Sequence, residues 1–206
     1  MFITFEGIDG SGKSTQAALF SKWLSEEKER DVILTREPGG WPGGSVLREI
    51  AVSGSLKHKW SEAYLFMLDS AEHVASVIQP AIDAGKDVVC ERYHDSTLAY
   101  QIWGRGLPLH IFDELARLSS FPVPDITILF DIQPERALKR VRSRGNPDSF
   151  ENEGSSFMEK IREGYLALSK RDPERWLVIE CSSESSEEIF EKMVRLVSSR
   201  RILSDK

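Results

Sequence analysis

The stretch from Phe2 to Thr15 constrains this chain more than any other. Phe2-Ile3-Thr4-Phe5 is an apolar, β-prone run, and Gly7-x-x-x-x-Gly12-Lys13-Ser14 comes next with the spacing of a phosphate-binding loop. Each position answers a physical need. Glycines let successive backbone N–H groups turn toward phosphate oxygens with no Cβ in the way. The helix predicted after the loop adds the free donors and positive dipole end of its N-terminus. Lys13 is long enough to reach the outer phosphates, and the Ser14 hydroxyl is a ligand for Mg²⁺. The expected ATP-binding segment is therefore Gly7, Ile8, Asp9, Gly10, Ser11, Gly12, Lys13, Ser14 and Thr15.

Beyond the loop, strand and helix alternate. Ala17, Ala18, Phe20, Trp23 and Leu24 mark one face of a helix, and Val32-Ile33-Leu34-Thr35 reads as a second short strand. Strand, helix, strand in that order means a crossover connection and a parallel sheet. A long helix is predicted over Ser61 to Ala84, with Ala63, Phe66, Met67, Ser70, Val74, Val77, Ile78 and Ile82 at helical spacing. Strands are predicted at Asp87–Glu91, Asp125–Ile132 and Trp176–Cys181. Helices are predicted at Ser96–Trp103, Pro108–Ser119, from Pro134, Phe157–Lys170 and Ser186–Ser199. Gly145 to Ser156 is polar and aperiodic, which in a compact domain suggests a lid, over about 142–156. The prediction is one α/β domain over 1–206, a three-layer sandwich with a five-stranded parallel sheet.

Composition narrows the classes of partner. At 206 residues, 40% hydrophobic and 29% charged, the chain suits one globular domain. No apolar run approaches the ~18 residues that span a bilayer, and no basic region precedes the N-terminal apolar run. Cys90 and Cys181 both fall in apolar strand-like segments, so a reduced, cytoplasmic protein is expected, without membrane contact. A net charge of −6 argues against a nucleic acid as partner. His58, His73, His94 and His110 lack metal-ligand spacing and are assigned no chemistry.

Ligands of such a sheet sit outside the carboxyl ends of its strands. Strand two ends there in Arg36-Glu37, strand three in Glu91-Arg92-Tyr93, and strand four in Asp131. A carboxylate facing a phosphate loop suits an Mg²⁺–water shell, which favours Glu91, with Asp131 second because it reads equally as a cap before Pro134. Arg36, Arg48, Arg92, Arg140, Arg142 and Arg144 need an account in an acidic chain. Two phosphate-bearing molecules held side by side would supply one, because anions repel until cations stand between them and arginine grips phosphate bidentately. That points to a kinase with a phosphorylated acceptor.

Phe5-Glu6-Gly7-Ile8-Asp9-Gly10-Ser11-Gly12-Lys13-Ser14-Thr15, Arg36-Glu37-Pro38-Gly39-Gly40, Glu91-Arg92-Tyr93-His94-Asp95-Ser96 with Ala99-Tyr100-Gln101, and Gly104-Arg105 together resemble the thymidylate kinase family of P-loop nucleoside monophosphate kinases, in its bacterial form. The resemblance runs over nearly the whole chain. It implies ATP-dependent phosphorylation of dTMP to dTDP with Mg²⁺, and a homodimer formed through helices that include the long one. Residue by residue it implies that Lys13 bridges the transferring phosphoryl group, with Ser14 on Mg²⁺. Asp9 would bind the sugar 3′-OH. Arg36, Arg48 and Arg92 would hold the acceptor phosphate, with Glu37 steadying that end. Phe66 would stack on the base, Thr97 and Gln101 would bind its edge, and Tyr100 would lie against the deoxyribose. Arg142 and Arg144 would supply from the lid the cation that other members carry within the loop, at the place of Ser11.

Several residues depart from that pattern. Ser70 stands where the family has an arginine that hydrogen-bonds thymine, and Glu91 replaces an aspartate. Trp41 replaces a threonine, Ile102-Trp103 a glycine-containing pair, and Ser149 a lid arginine. Most of these lie on the acceptor or lid side. Two alternatives stay open: a kinase of the same fold for another, modified nucleoside monophosphate, and a non-catalytic nucleotide-binding protein.

Overall fold

The computed structural model describes residues 1–145, 149–150, 153–181 and 184–200, the Arg144 side chain excepted. Five strands, β1 (Phe2–Glu6), β2 (Val32–Arg36), β3 (Asp87–Glu91), β4 (Ile126–Asp131) and β5 (Trp176–Glu180), form one sheet in the order β2-β3-β1-β4-β5. Every pairing is parallel. The helices are α1 (Lys13–Glu27), α2 (Gly44–Val52), α3 (Lys59–His73), α4 (Gln79–Asp83), α5 (His94–Leu98), α6 (Leu109–Leu118), α7 (Pro134–Arg144), α8 (Ser155–Arg171) and α9 (Ser186–Ser199). They cover both faces of the sheet, and the predicted fold class holds.

Side chains along the strands alternate between the two faces of the sheet. All of β1 is buried at the sheet centre, with Ile3 and Phe5 in one apolar cluster and Phe2 in another on the opposite face. Phe5 packs against Phe20 of α1 and Phe130 of β4, each at 5.7 Å between ring centres. Burying side chains of this size contributes roughly 1.5–3 kcal/mol each. β2 forms an edge and stays half exposed. In α1, Ala17, Phe20, Trp23 and Leu24 face inward as the periodicity predicts, but Ala18 is exposed and Gln16 takes its place.

Two predicted helices are not regular. The long one contains a π-helical turn, Val74–Ile78, between α3 and α4, ending two residues before Pro80, which has no N–H to give a regular turn. The helix predicted at Ser96–Trp103 begins as α5 and widens into a second π-helical turn, Ala99–Gly104, in which Arg105 N donates to Tyr100 O at 3.0 Å. There Trp103 lies against α8: a Cβ on Gly164 would come 2.9 Å from its ring. The aperiodic segment is shorter than predicted, because α7 runs on to Arg144 and α8 starts at Ser155. Within it Ser149 N donates to Val52 O at 3.2 Å, and Phe150 is buried. Asp148 and Glu151 lie outside the described residues.

Candidate active site

The strand ends assemble the site. β1 passes into the loop through Gly7, where φ is 141° and a Cβ would stand 2.7 Å from Phe130 O. At Gly10, φ is 86° and a Cβ would stand 2.5 Å from Ala137 O of α7. Only glycine fits either place. Lys13 opens α1 and is nearly buried, its Nζ 2.9 Å from Asp9 Oδ1. Burial pulls the Lys13 pKa down, and the neighbouring Arg92 adds to the effect. Ser11 Oγ is buried with no hydrogen-bond partner. Arg140 Nη1 donates to Gly10 O at 3.3 Å, so α7 touches the loop as well.

Next to the loop, Ser14 Oγ donates to Glu91 Oε1 at 2.5 Å, which joins α1 to the end of β3. A hydroxyl and a carboxylate at this separation are hard oxygen donors of the kind Mg²⁺ takes when nucleotide phosphates and water complete its shell. Among the described residues no cluster of three or more His, Cys, Asp or Glu side chains forms a protein-only metal cage. Asp131 is turned away from such a role: Arg162 of α8 holds it through Nε at 2.6 Å and Nη2 at 3.0 Å.

Asp9 links the loop to a second cleft. Its Oδ1 accepts from Lys13 Nζ and, at 2.7 Å, from Arg92 Nη2, and its Oδ2 accepts from Tyr100 OH at 3.0 Å. Burial alone would raise the Asp9 carboxyl, but Arg92 and Lys13 together hold it well below the usual carboxylate range. Arg92, at φ 63°, lies with its guanidinium 5.1 Å from the Tyr100 ring centre. It also donates to Ser96 Oγ at 3.1 Å and to Tyr165 OH at 3.0 Å.

Beneath that guanidinium sits Glu6, fully buried, which accepts from Tyr93 N at 2.8 Å and contacts Ser96 Oγ at 2.5 Å and Tyr165 OH at 3.1 Å. Burial, with Asp95 nearby, pushes its pKa up to about 8. Glu6 makes no hydrogen bond to Arg92 itself; the two meet through Ser96 Oγ and Tyr165 OH, and Asp9 is the carboxylate that pairs directly with the guanidinium.

The walls of the cleft include Asp9, Arg36, Glu37, Arg48, Glu91 and Arg92 at the polar end and Phe66, Thr97, Tyr100 and Phe150 at the apolar end. Phe150 meets the Tyr100 ring edge-on at 5.5 Å and the Phe66 ring at 6.0 Å. The structure thus brings together nearly every acceptor-side residue expected from the sequence.

Ser70 and Gln101 are the exceptions, both fully buried behind the wall. Ser70 Oγ donates to Glu37 Oε2 at 2.7 Å, while Gln101 Nε2 donates to Glu62 Oε1 at 2.9 Å. Arg142 is exposed near the end of α7, and the Arg144 side chain lies outside the described residues.

Some of the supporting residues carry no sequence signal. His73 is fully buried, with Nδ1 3.0 Å from Glu37 Oε1 and Nε2 2.6 Å from Thr35 Oγ1. Asp69 accepts from Gly39 N at 3.0 Å and from Trp41 Nε1 at 2.8 Å. One face of α3 thereby holds the whole turn from Thr35 to Trp41, whose Glu37–Pro38 peptide is cis. Tyr165 and Phe150 are likewise recruited from distant elements. The only hint was their place in apolar periodic or near-lid stretches.

The Thymidylate kinase family model matches residues 5–193. The chain belongs to the thymidylate kinase family. It is 43% identical over 197 residues to a thymidylate kinase of Kosmotoga olearia, covering 95% of this chain and 94% of that one. A family member from Ralstonia pickettii is 42% identical over 190 residues, covering 90% of this chain and 92% of that one. The crystal structure of thymidylate kinase from Ehrlichia chaffeensis superposes with a TM-score of 0.79 at 31% identity, covering 96% of this chain and 98% of that one. Family membership fits the arrangement around Asp9, where a phosphate loop and an arginine-lined cleft share one carboxylate.

Proposed function

We propose that this enzyme transfers the γ-phosphoryl group of ATP to dTMP, giving ADP and dTDP. The observation that carries the reading is Asp9, whose carboxylate binds Lys13 of the phosphate loop and Arg92 of the cleft at once. Donor and acceptor sites are thereby joined end to end, as in-line transfer between two phosphates requires.

In this reading the backbone N–H groups of residues 7–15 cradle the ATP phosphates, and Lys13 follows the transferring group. Arg36, Arg48 and Arg92 grip the acceptor phosphate, and Glu37 keeps their turn in place. Phe66 stacks on the base, Thr97 and Gln101 meet its edge, and Tyr100 and Asp9 face the sugar. Ser14 and Glu91 hold Mg²⁺, which when bound neutralises charge on the β- and γ-phosphates. Arg142 and Arg144, on the last turn of α7 where it enters the proposed lid, balance charge at the transferring phosphoryl. No side chain needs to act as a nucleophile.

Tyr64 and Leu68, exposed one helical turn apart on α3, support a homodimer through that helix. Among the described residues no helix is long and apolar enough to cross a membrane, which suits the cytoplasmic location proposed here. An ADP-release assay across dTMP, dUMP, UMP, CMP and AMP tests the function. Fastest turnover of dTMP is expected, and no turnover of any pyrimidine monophosphate would sink the reading.

A further inference from the structure

Glu6 ends β1 beneath Arg92, behind the wall of the acceptor cleft. Three oxygens meet there in a triangle. Glu6 Oε2 and Ser96 Oγ stand 2.5 Å apart, Ser96 Oγ and Tyr165 OH 2.7 Å, and Tyr165 OH and Glu6 Oε2 3.1 Å. All three side chains are buried. Each edge has the length of a hydrogen bond, so the triangle needs one proton per edge. Arg92 supplies none of them, because its Nη1 donates from outside the ring, to Ser96 Oγ at 3.1 Å and to Tyr165 OH at 3.0 Å.

A guanidinium only donates, so both hydroxyls act as acceptors toward Arg92, and each keeps one proton for the ring. Those protons close two edges. With Glu6 ionised, the remaining edge would set two oxygens lone pair against lone pair, in a place closed to water. With Glu6 protonated, one O–H runs along every edge, and each oxygen gives one hydrogen bond and receives one within the ring. The other carboxyl oxygen, Oε1, already accepts from Tyr93 N at 2.8 Å, which leaves Oε2 to carry the proton.

The surrounding charges favour the same state. Asp95 of α5, itself held by Arg175 at 2.5 and 3.1 Å, faces Glu6 with a negative charge, and Arg92 faces it with a positive one. Burial pushes up the neighbouring Cys90 thiol and the Tyr93 and Tyr165 phenols, so all of them keep their protons. Burial, and then Asp95, outweigh Arg92 at Glu6 and push it up to about 8.

We propose that Glu6 is a positioning residue: as a neutral acid it completes the ring that aims Arg92, and it leaves the guanidinium's charge to the acceptor phosphate. Ionised, it would open the ring and set a buried negative charge in competition with that phosphate. The consequence for acceptor binding rests on the reading of this cleft as a nucleoside monophosphate site. The proton count does not.

The test has two arms, both on the full chain. Infrared difference spectroscopy should show the C=O band of a protonated carboxyl at pH 7, fading toward pH 9 and absent from Glu6→Gln. Steady-state kinetics then run over the same pH range, above the second ionisation of a phosphate monoester at ~6. The KM for dTMP should rise by up to about tenfold across it, and Glu6→Gln should remove the rise. Tyr165→Phe takes one corner out of the ring, so it should shift the infrared band and raise the KM for dTMP at every pH. It decides the matter where Glu6→Gln melts too low to study. No band at pH 7, a band that Tyr165→Phe leaves unmoved, a level KM in the unaltered protein, or an equal rise in Glu6→Gln overturns the proposal. A protein that turns over no pyrimidine monophosphate loses the kinase reading, and the infrared arm alone then decides whether Glu6 carries the proton.

Discussion

Ser70 Oγ donates to Glu37 Oε2 at 2.7 Å, behind the wall of the acceptor cleft. The residue at the most conspicuous departure from the family pattern thus supports the turn that carries Arg36. It does not face the base. Glu37 is buried, and burial already raises its pKa, so losing a donor leaves a carboxylate short of partners. Ser70→Ala should cost about 1–3 kcal/mol of unfolding free energy, read from urea denaturation, and should raise the acceptor KM.

Asp9 and Arg92 are expected to behave as one unit. Arg92→Lys keeps the charge but cannot reach Asp9, Ser96 and Tyr165 together. Turnover with dTMP should fall about 10²–10³-fold, with little change in ATP binding measured by calorimetry.

Lys13→Met should lower kcat by about 10²–10³-fold, because the only cation in the phosphate loop is lost. Acceptor affinity, measured by calorimetry with dTMP alone, should change less than kcat. A larger change in affinity than in kcat would place Lys13 on the acceptor side.

Glu6 makes stability depend on pH. Its folded pKa of about 8 lies above the ordinary glutamate value of 4.5, so the folded state holds a proton that the unfolded chain releases first. The stability it contributes is fully present below about 4.5 and is lost as pH rises toward 8, at up to ~1.4 kcal/mol per pH unit. Glu6→Gln keeps a neutral hydrogen-bonding group and should flatten this part of the curve, measured by urea titrations at several pH values between about 5 and 8.

Chelation of Mg²⁺ should abolish turnover, and Glu91→Gln should raise the Mg²⁺ concentration needed for half-maximal rate by about tenfold or more. An unchanged Mg²⁺ requirement would remove Glu91 from the metal's surroundings.

The strands and the loop were legible because their signals are local. Buried parallel strands read as short apolar runs, and the glycines of the loop sit where no Cβ fits. The cleft walls were legible through the family resemblance, down to Phe66, Thr97 and Tyr100. What could not be read was the layer behind them. His73 was assigned no chemistry because spacing alone cannot tell a core histidine from one bridging Glu37 and Thr35. Glu62 and Asp69 carry no signal of their own in the sequence, since their partners are remote in it. The π-helical turns shift each closing hydrogen bond by one residue, and only Pro80 hinted at one of them.

Trp103 and Gly164 fit as a ring against a missing side chain. Neither lines the acceptor cleft, so the bulky residue at 103 is accommodated in the flank of α8 and not in the substrate's space. Substitutions at the two positions are then coupled in their effects: alanine at 164 meets the indole at once, and a small residue at 103 leaves a void against the helix. A substitution scan should find epistasis between them with no corresponding change in nucleotide preference, the damage of a larger residue at 164 being relieved by a smaller one at 103.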